Sequence, residues 1–153
     1  MKCWGWDSYG MLGDGGSNDA TTEPSSTAID LGSGRTAVAV AVGLQHTCAI
    51  LDNGDLKCWG DDSNGQLGDG GSNADINAPS STAIDLGTGR TAVAVAVGLK
   101  FTCAILDNGD LKCWGQDSQG QLGDGGPAWS SSNPTDTNAP SSTAIDLGTG
   151  RTA

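Results

Sequence analysis

A 55-residue repeat limits the folds open to this chain more than any other feature of its sequence. The segment 46–70 returns almost unchanged as 101–125, and its second half also opens the chain. The cysteines Cys3, Cys58 and Cys113 mark the same step of 55 residues. A segment that recurs at this spacing is a supersecondary unit that buries its faces only against its neighbours, so the sequence predicts a repeat architecture.

The repeat divides the 153 residues into a partial unit over 1–36, a full unit over 37–91 and a third unit over 92–153. The third unit carries six extra residues between Gly126 and Pro140. The chain stops before a further copy of the segments TAVAVAV and TCAIL. We interpret it as an excerpt of a longer tandem array; the alternative is a short chain that completes its sheets by assembly.

Each unit contains four strand signals joined by turn residues. Alternation of small and β-branched residues predicts a strand over 36–42, and apolar runs predict strands over 46–51 and 55–59. A fourth short strand is predicted over 26–31, and a Gly-, Asp- and Ser-rich loop over 60–79. Four short antiparallel strands per unit predict an all-β fold made of β-propeller blades, slightly fewer than three of them. A β-solenoid is the structural competitor.

The turn Asp52–Gly54 fixes how the second and third strands of the full unit pair. In a three-residue hairpin loop Gly54 takes the left-handed conformation, and Cys48 then faces Cys58. A two-residue loop would instead place Cys48 opposite Trp59. Recurrence of both cysteines around the same turn in the third unit favours the first register.

The cysteine spacing predicts cross-strand disulfides Cys48–Cys58 and Cys103–Cys113. Cys3 corresponds to Cys58, and the strand that would carry its partner lies before the chain begins. Buried thiols are the main alternative, and zinc is disfavoured because the chain has one histidine and no Cys-x-x-Cys motif. Disulfides would place the protein in an extracellular or periplasmic compartment. No signal peptide is visible in this sequence.

The formal net charge of −11 argues against a nucleic-acid partner, because an acidic surface repels the phosphate backbone. No apolar run approaches the roughly 20 residues that a membrane-spanning helix needs. A protein or a cell-surface polymer is the expected partner, because one irregular loop over 127–139 stands out from an otherwise regular framework.

No catalytic constellation is recognisable, so the chain is predicted not to be an enzyme. His46 is expected to pack, because Phe101 occupies its position in the next unit. The acidic positions that include Asp62 and Asp117 are expected to lie in solvated loops. No cofactor is predicted, although Asp69–Asp75 offers oxygen ligands for calcium without the spacing of an EF-hand.

Two groups of residues are candidates for packing and for binding. Trp4, Trp59 and Trp114 occupy one repeat position and are expected to pack between blades, with each indole N–H bonded to a carbonyl. The insertion has no counterpart in the other units, and we expect partner contacts there. The candidate contact residues are Trp129, Asn133 and Asp136.

The motifs resemble the repeat of the regulator of chromosome condensation family. They are GLQHTCAI at 43–50, Asp-x-Gly at 52–54, Cys-Trp-Gly at 58–60 and GQLG at 65–68, and the same order recurs over 98–123. The family often has Asn two residues after Trp-Gly, whereas this chain has Asp. The match covers almost the whole chain, and the cysteine pairs are similar to those of prokaryotic forms of the repeat.

This resemblance implies a propeller that usually has seven blades, so a ring would need further repeats. It does not fix a function, because members include a nucleotide exchange factor, a plant ultraviolet photoreceptor and a secreted β-lactamase inhibitor. Our first hypothesis is a non-enzymatic binding or scaffold module whose loops contact a partner. The alternatives are self-assembly into rings or filaments through exposed strand edges and, less favoured, a lyase or hydrolase.

Overall fold

The computed structural model describes residues 1–17, 20–126 and 136–153. These residues form two three-stranded antiparallel sheets with strand orders β1-β2-β3 and β4-β5-β6. No helix with the length and apolar character of a membrane span occurs among them. The strands are β1 (Ala37–Val42), β2 (His46–Leu51), β3 (Leu56–Gly60), β4 (Ala92–Val97), β5 (Phe101–Leu106) and β6 (Leu111–Gly115).

The predicted hairpin register is confirmed in both sheets. Gly54 has a φ of 81°, and the Leu51 N–H donates to the Asp55 carbonyl over 2.9 Å. This turn pairs Cys48 with Cys58, and the two sulfurs are bonded at 2.09 Å. The third unit has the same register and a second disulfide, Cys103–Cys113, with an S–S distance of 2.01 Å.

The predicted fourth strand over 26–31 does not form, and neither do its counterparts. In the second unit the outer edge of β3 is bonded at two separated points, by a bridge between Gly60 and Ile76 and by the Ile84 N–H donating to the Leu56 carbonyl. Pro79 lies between these points and has no N–H to donate. The Ser80 hydroxyl accepts a hydrogen bond from the Thr82 N–H, so this backbone donor is bonded within the turn rather than to β3.

Two apolar clusters join each unit to the next with equivalent residues. Ile29 and Leu31 of the first unit pack with Leu51 and Trp59 of the second. Residues 55 positions later, including Leu86, Leu106 and Trp114, form the second cluster. The core therefore lies between sheets rather than within one, as in neighbouring propeller blades. The all-β, partial-propeller architecture is confirmed, with three strands per blade instead of four.

Candidate interaction surface

Two of the three repeated tryptophans occupy the predicted inter-blade position. The Trp59 indole N–H donates to the Met11 carbonyl over 2.9 Å, and that of Trp114 donates to the Gln66 carbonyl over 3.1 Å. Both side chains are fully buried, whereas Trp4 is 57 % exposed. The joint between units is therefore a tryptophan inserted beneath the loop of the preceding unit, and the prediction fails at Trp4.

His46 packs at this joint, as expected from its replacement by Phe101. Its Nε2 lies 2.9 Å from the Thr102 hydroxyl, and Thr102 donates its own proton to the Gln66 carbonyl. The hydrogen-bond pattern therefore assigns the Nε2–H tautomer to His46, which donates to Thr102. Burial lowers the pKa of His46 to about 4, with the nearby Asp61 carboxylate opposing the shift, so the ring is neutral at pH 7.

The acidic loop positions are buried, so the expectation that they are solvated is wrong. One carboxylate oxygen of Asp62 accepts the Leu67 N–H over 2.8 Å, and Asp117 bonds Leu122 in the same way. The second oxygen of each has no hydrogen-bond partner in the described part of the chain. The sequence contains a signal for this buried hydrogen bond: in all three units the Asp is followed five positions later by a Leu.

The environment of Asp62 disfavours its charged form. Burial raises the pKa of Asp62 to about 6; the Leu67 N–H opposes this shift, while the neighbouring carboxylates of Asp69, Asp61 and Asp75 add to it. Desolvation is the largest cause, because a carboxylate with one unbonded oxygen loses water without full compensation. Loop 61–75 therefore contains a buried acid that changes charge near neutral pH.

The carboxylate of Asp136 is engaged within the chain. Its Oδ1 accepts the Asp117 N–H over 3.0 Å, and its Oδ2 accepts the Asn64 side-chain amide over 2.8 Å. These bonds tie the loop of the third unit to that of the second. Trp129 and Asn133, the other predicted contact residues, lie outside the described residues, so all three contact roles stay predictions.

The residues on both sides of the insertion form hydrogen bonds. On one side the Gly126 N–H donates to Asp124 over 2.8 Å, and on the other Thr137 and Gly115 exchange two backbone hydrogen bonds. Lys100, from the turn between β4 and β5, adds a contact of 3.4 Å to Ser63. We call residues 61–75, 116–126 and 136 the rim surface.

The calcium hypothesis receives no support from the rim surface. Asp69 accepts the Gly71 N–H and Asp75 accepts the Asp62 N–H, so each has a carboxylate oxygen already engaged with backbone. No group of three or more metal-ligating side chains is arranged to hold an ion in residues 1–17, 20–126 and 136–153. Calcium binding stays an untested prediction.

The sequence matches two protein-family models. A model of the regulator of chromosome condensation (RCC1) repeat matches residues 3–50 and 53–105, and a second model of the repeat matches 37–66 and 92–121. The chain belongs to the RCC1-repeat family. The two segments matched by the first model cover more than half of the 153 residues, and each segment matched by the second model contains one cysteine pair and one of the buried tryptophans.

Curated relatives of this RCC1-repeat chain are much longer than the chain. It is 34% identical to the ultraviolet-B receptor UVR8 of Arabidopsis thaliana over 120 residues, which are 78% of this chain and 26% of the receptor. It is 33% identical to the E3 ubiquitin-protein ligase HERC2 of Homo sapiens over 122 residues, which are 80% of this chain and 2% of the ligase. The relatives thus include a receptor and a ubiquitin-protein ligase.

Solved structures show the same fold. Yeast RCC1 (Prp20) superposes with a TM-score of 0.76 at 20% identity, over 95% of this chain and 32% of that one. Human WBSCR16 gives a TM-score of 0.66 at 25% identity, over 91% of this chain and 34% of that one. The RCC1-repeat chain described here therefore corresponds to about a third of such a structure.

Proposed function

We propose that this chain is a non-enzymatic protein-interaction module, with the rim surface and the insertion as its contact region. The observation that carries the proposal is the anchoring of the residues that follow the insertion, by the two hydrogen bonds of Asp136 and by the Gly115–Thr137 bonds. A variable segment on a rigid framework is the usual arrangement of a recognition loop. In this arrangement Asp136 orients the loop, and Trp129 and Asn133 supply contacts.

The relatives support a protein as the partner. Yeast RCC1 (Prp20) was solved bound to Kap60, and the binding properties of Prp20p to Gsp1p and histones have been studied. Our chain carries a net charge of −11, and Asp69 and Asp124 are exposed on the rim surface. We therefore expect a partner with a basic contact patch, and association that weakens as salt is raised.

A loop exchange within the chain tests this proposal. Residues 127–135 are replaced by Ser-Asn-Ala, the sequence at 72–74 that joins the same anchors in the second unit. The control replaces 72–74 by Gly-Ser-Gly. Bound proteins are captured with the three chains, identified, purified and titrated by calorimetry. We expect the partner to bind the parent and the control but not the exchanged chain; equal affinity for all three chains would contradict the proposal.

We further propose an extracellular or periplasmic location, supported by the two disulfides. Each bond closes a short loop and is expected to stabilise the fold by roughly 2–3 kcal/mol in the chain-entropy model. Thiols are counted under denaturing conditions in protein taken directly from its native source. One reactive thiol, that of Cys3, is expected, whereas five would show that the disulfides do not form there.

Self-assembly is a second candidate function, favoured by the exposed inner strand β1. Val38 and Val42, on an unpaired edge of the first sheet, are largely exposed. Such an edge pairs readily with another chain. Sedimentation from low to high protein concentration distinguishes the two candidates, since assembly raises the mean mass and a monomer at every concentration excludes it.

A further inference from the structure

Three Asn-Gly pairs occur in the sequence, at 53–54, 64–65 and 108–109. In such a pair the backbone nitrogen of the glycine can attack the side-chain carbonyl carbon of the asparagine, because glycine has no Cβ to hinder the approach. The new C–N bond closes a succinimide ring, the bond to the side-chain nitrogen breaks, and ammonia leaves. Water then opens the ring to aspartate or isoaspartate. The structure separates the three pairs into two classes.

The pairs at 53–54 and 108–109 lie at the tips of two equivalent hairpins. Asn53 is exposed, and its Nδ2 donates to the Asp55 carboxylate over 2.7 Å. Its Oδ1 accepts the Asp55 N–H over 3.2 Å. Asn108 is also exposed and forms the same two bonds with Asp110. The partners of each asparagine belong to its own turn, so they move with it when the turn opens to solvent.

The backbone donor at each tip also favours the chemistry. Negative charge develops on the asparagine Oδ1 as the glycine nitrogen attacks. The Asp55 N–H already points at this oxygen in Asn53, and a donor placed in advance stabilises the developing charge. The Asp110 N–H has the same position relative to Asn108.

The pair at 64–65 is held by another part of the chain. Asn64 is half-buried, and Gly65 is buried. The Asn64 side-chain amide donates to the Asp136 carboxylate over 2.8 Å, and its Oδ1 accepts the Ser63 hydroxyl over 3.1 Å. Ring closure here requires a bond between two units to break and hydroxide to reach a buried glycine nitrogen.

The backbone of the glycine does not distinguish the two classes. Gly54 donates its N–H to the Leu51 carbonyl, and Gly65 donates to the Asp62 carbonyl, each over 2.9 Å. Their φ values are also similar, at 81° and 78°. The difference between the sites therefore lies in the asparagine side chain and in how far the pair is buried.

We propose that Asn53 and Asn108 are modification sites that lose their side-chain amide through a succinimide, and that the bond to Asp136 protects Asn64 from this reaction. Each conversion at a tip adds a negative charge to an exposed turn. At Asn64 it would place a new carboxylate against that of Asp136 and replace a hydrogen bond by a repulsion. The structure thus directs the reaction away from the base of the rim surface.

The rates at the three pairs test the proposal. The folded chain with its disulfides intact is incubated in mildly alkaline buffer, and each asparagine is followed by peptide mass spectrometry. An unfolded, reduced sample gives the intrinsic rate of each pair, to which the folded rates are normalised. We expect similar rates at Asn53 and Asn108 and a rate about tenfold lower at Asn64, because its bonds and burial make the reactive geometry rare. Conversion of Asn64 as fast as the tips, or no conversion at the tips, would overturn the proposal.

A substitution at Asp136 tests the protection separately. Asp136→Ala removes the partner of the Asn64 amide and should raise the rate at Asn64 about fivefold, while the rate at Asn53 stays unchanged. Asp124→Ala is the control, because it removes an exposed carboxylate of the rim surface that accepts the Gly126 N–H. Equal rates at Asn64 in the two variants would show that Asp136 does not protect it.

The added charge provides a second readout. Asn53→Gln combined with Asn108→Gln removes both reactive tips, because glutamine would have to close a larger ring, which forms more slowly. Isoelectric focusing of the incubated parent chain should show new acidic forms, and these should be absent from the double variant. Acidic forms of equal amount in both chains would place the reaction elsewhere and contradict the assignment.

Discussion

The second and third units have nearly the same sequence but differ in burial. Every residue of β2 is buried, whereas in β5 buried and half-buried residues alternate. The residues facing the preceding unit, such as Leu51 and Leu106, are buried in both. Those facing the following unit, such as Cys48 and Cys103, are fully buried only in the second unit. Part of the core of a blade is therefore formed with the next blade along the chain.

The sharpest way to test this contrast is to remove the same side chain from each unit. Leu56 is completely buried, whereas its counterpart Leu111 is half-buried. Leu56→Ala is expected to lower the free energy of unfolding by about 2–5 kcal/mol, because it leaves a cavity. Leu111→Ala should cost less than half as much. Denaturant unfolding with the disulfides intact measures both, and equal losses would contradict the unequal cover.

A pair of glycines tests the tryptophan joint itself. Gly68 and Gly123 have similar positive φ values of 75° and 68°, so alanine is strained equally at both. A Cβ at Gly68 would overlap the indole of Trp114, whereas at Gly123 its nearest neighbour is Ile145 at 3.8 Å. Gly68→Ala should therefore lose about 1–3 kcal/mol more stability than Gly123→Ala. Equal melting temperatures of the two variants would show that contact between Gly68 and the Trp114 indole does not contribute to stability.

The buried acid of the second unit gives a pH-dependent test. The pKa of Asp62 is raised from 3.8 to about 6 in the folded protein. Its contribution to stability is therefore complete below pH 3.8 and is lost as the pH rises to about 6. Asp62→Asn should remove this loss and raise the Tm at pH 7. The exposed Glu23→Gln is the control, and an equal rise there would exclude a local effect of burial.

His46 contributes in the same pH range with the opposite sign. Its pKa falls from 6.5 to about 4 on folding, so its contribution is complete above pH 6.5 and is lost as the pH falls toward 4. His46→Phe copies the third unit and should flatten the acid side of the stability curve, while losing the bond to Thr102. Melting temperatures from pH 4 to 7 measure this effect; an unchanged slope would place the titrating group elsewhere.

The contrast between units also shows where prediction from sequence succeeds. The turn Asp52–Gly54 determined the register of β2 and β3, and that register brought Cys48 to Cys58. The predicted fourth strand failed because β propensity does not reveal that the outer edge of β3 is bonded only at two separated points, Gly60–Ile76 and Leu56–Ile84. Asp62 was expected in solvent because it is charged. Its burial depends on how the surrounding loop folds over it, which the residues next to Asp62 in the sequence do not show.

Periodicity, turn chemistry and cysteine spacing were sufficient to define the repeat, its hairpins and its disulfides, since each depends on residues close together in the chain. The exposure of Trp4 and the burial of Trp59 could not be read from two identical local motifs. They depend on whether the loop of a preceding unit lies over the indole. Packing between blades is a long-range contact, and its presence is a property of the assembled structure rather than of the motif.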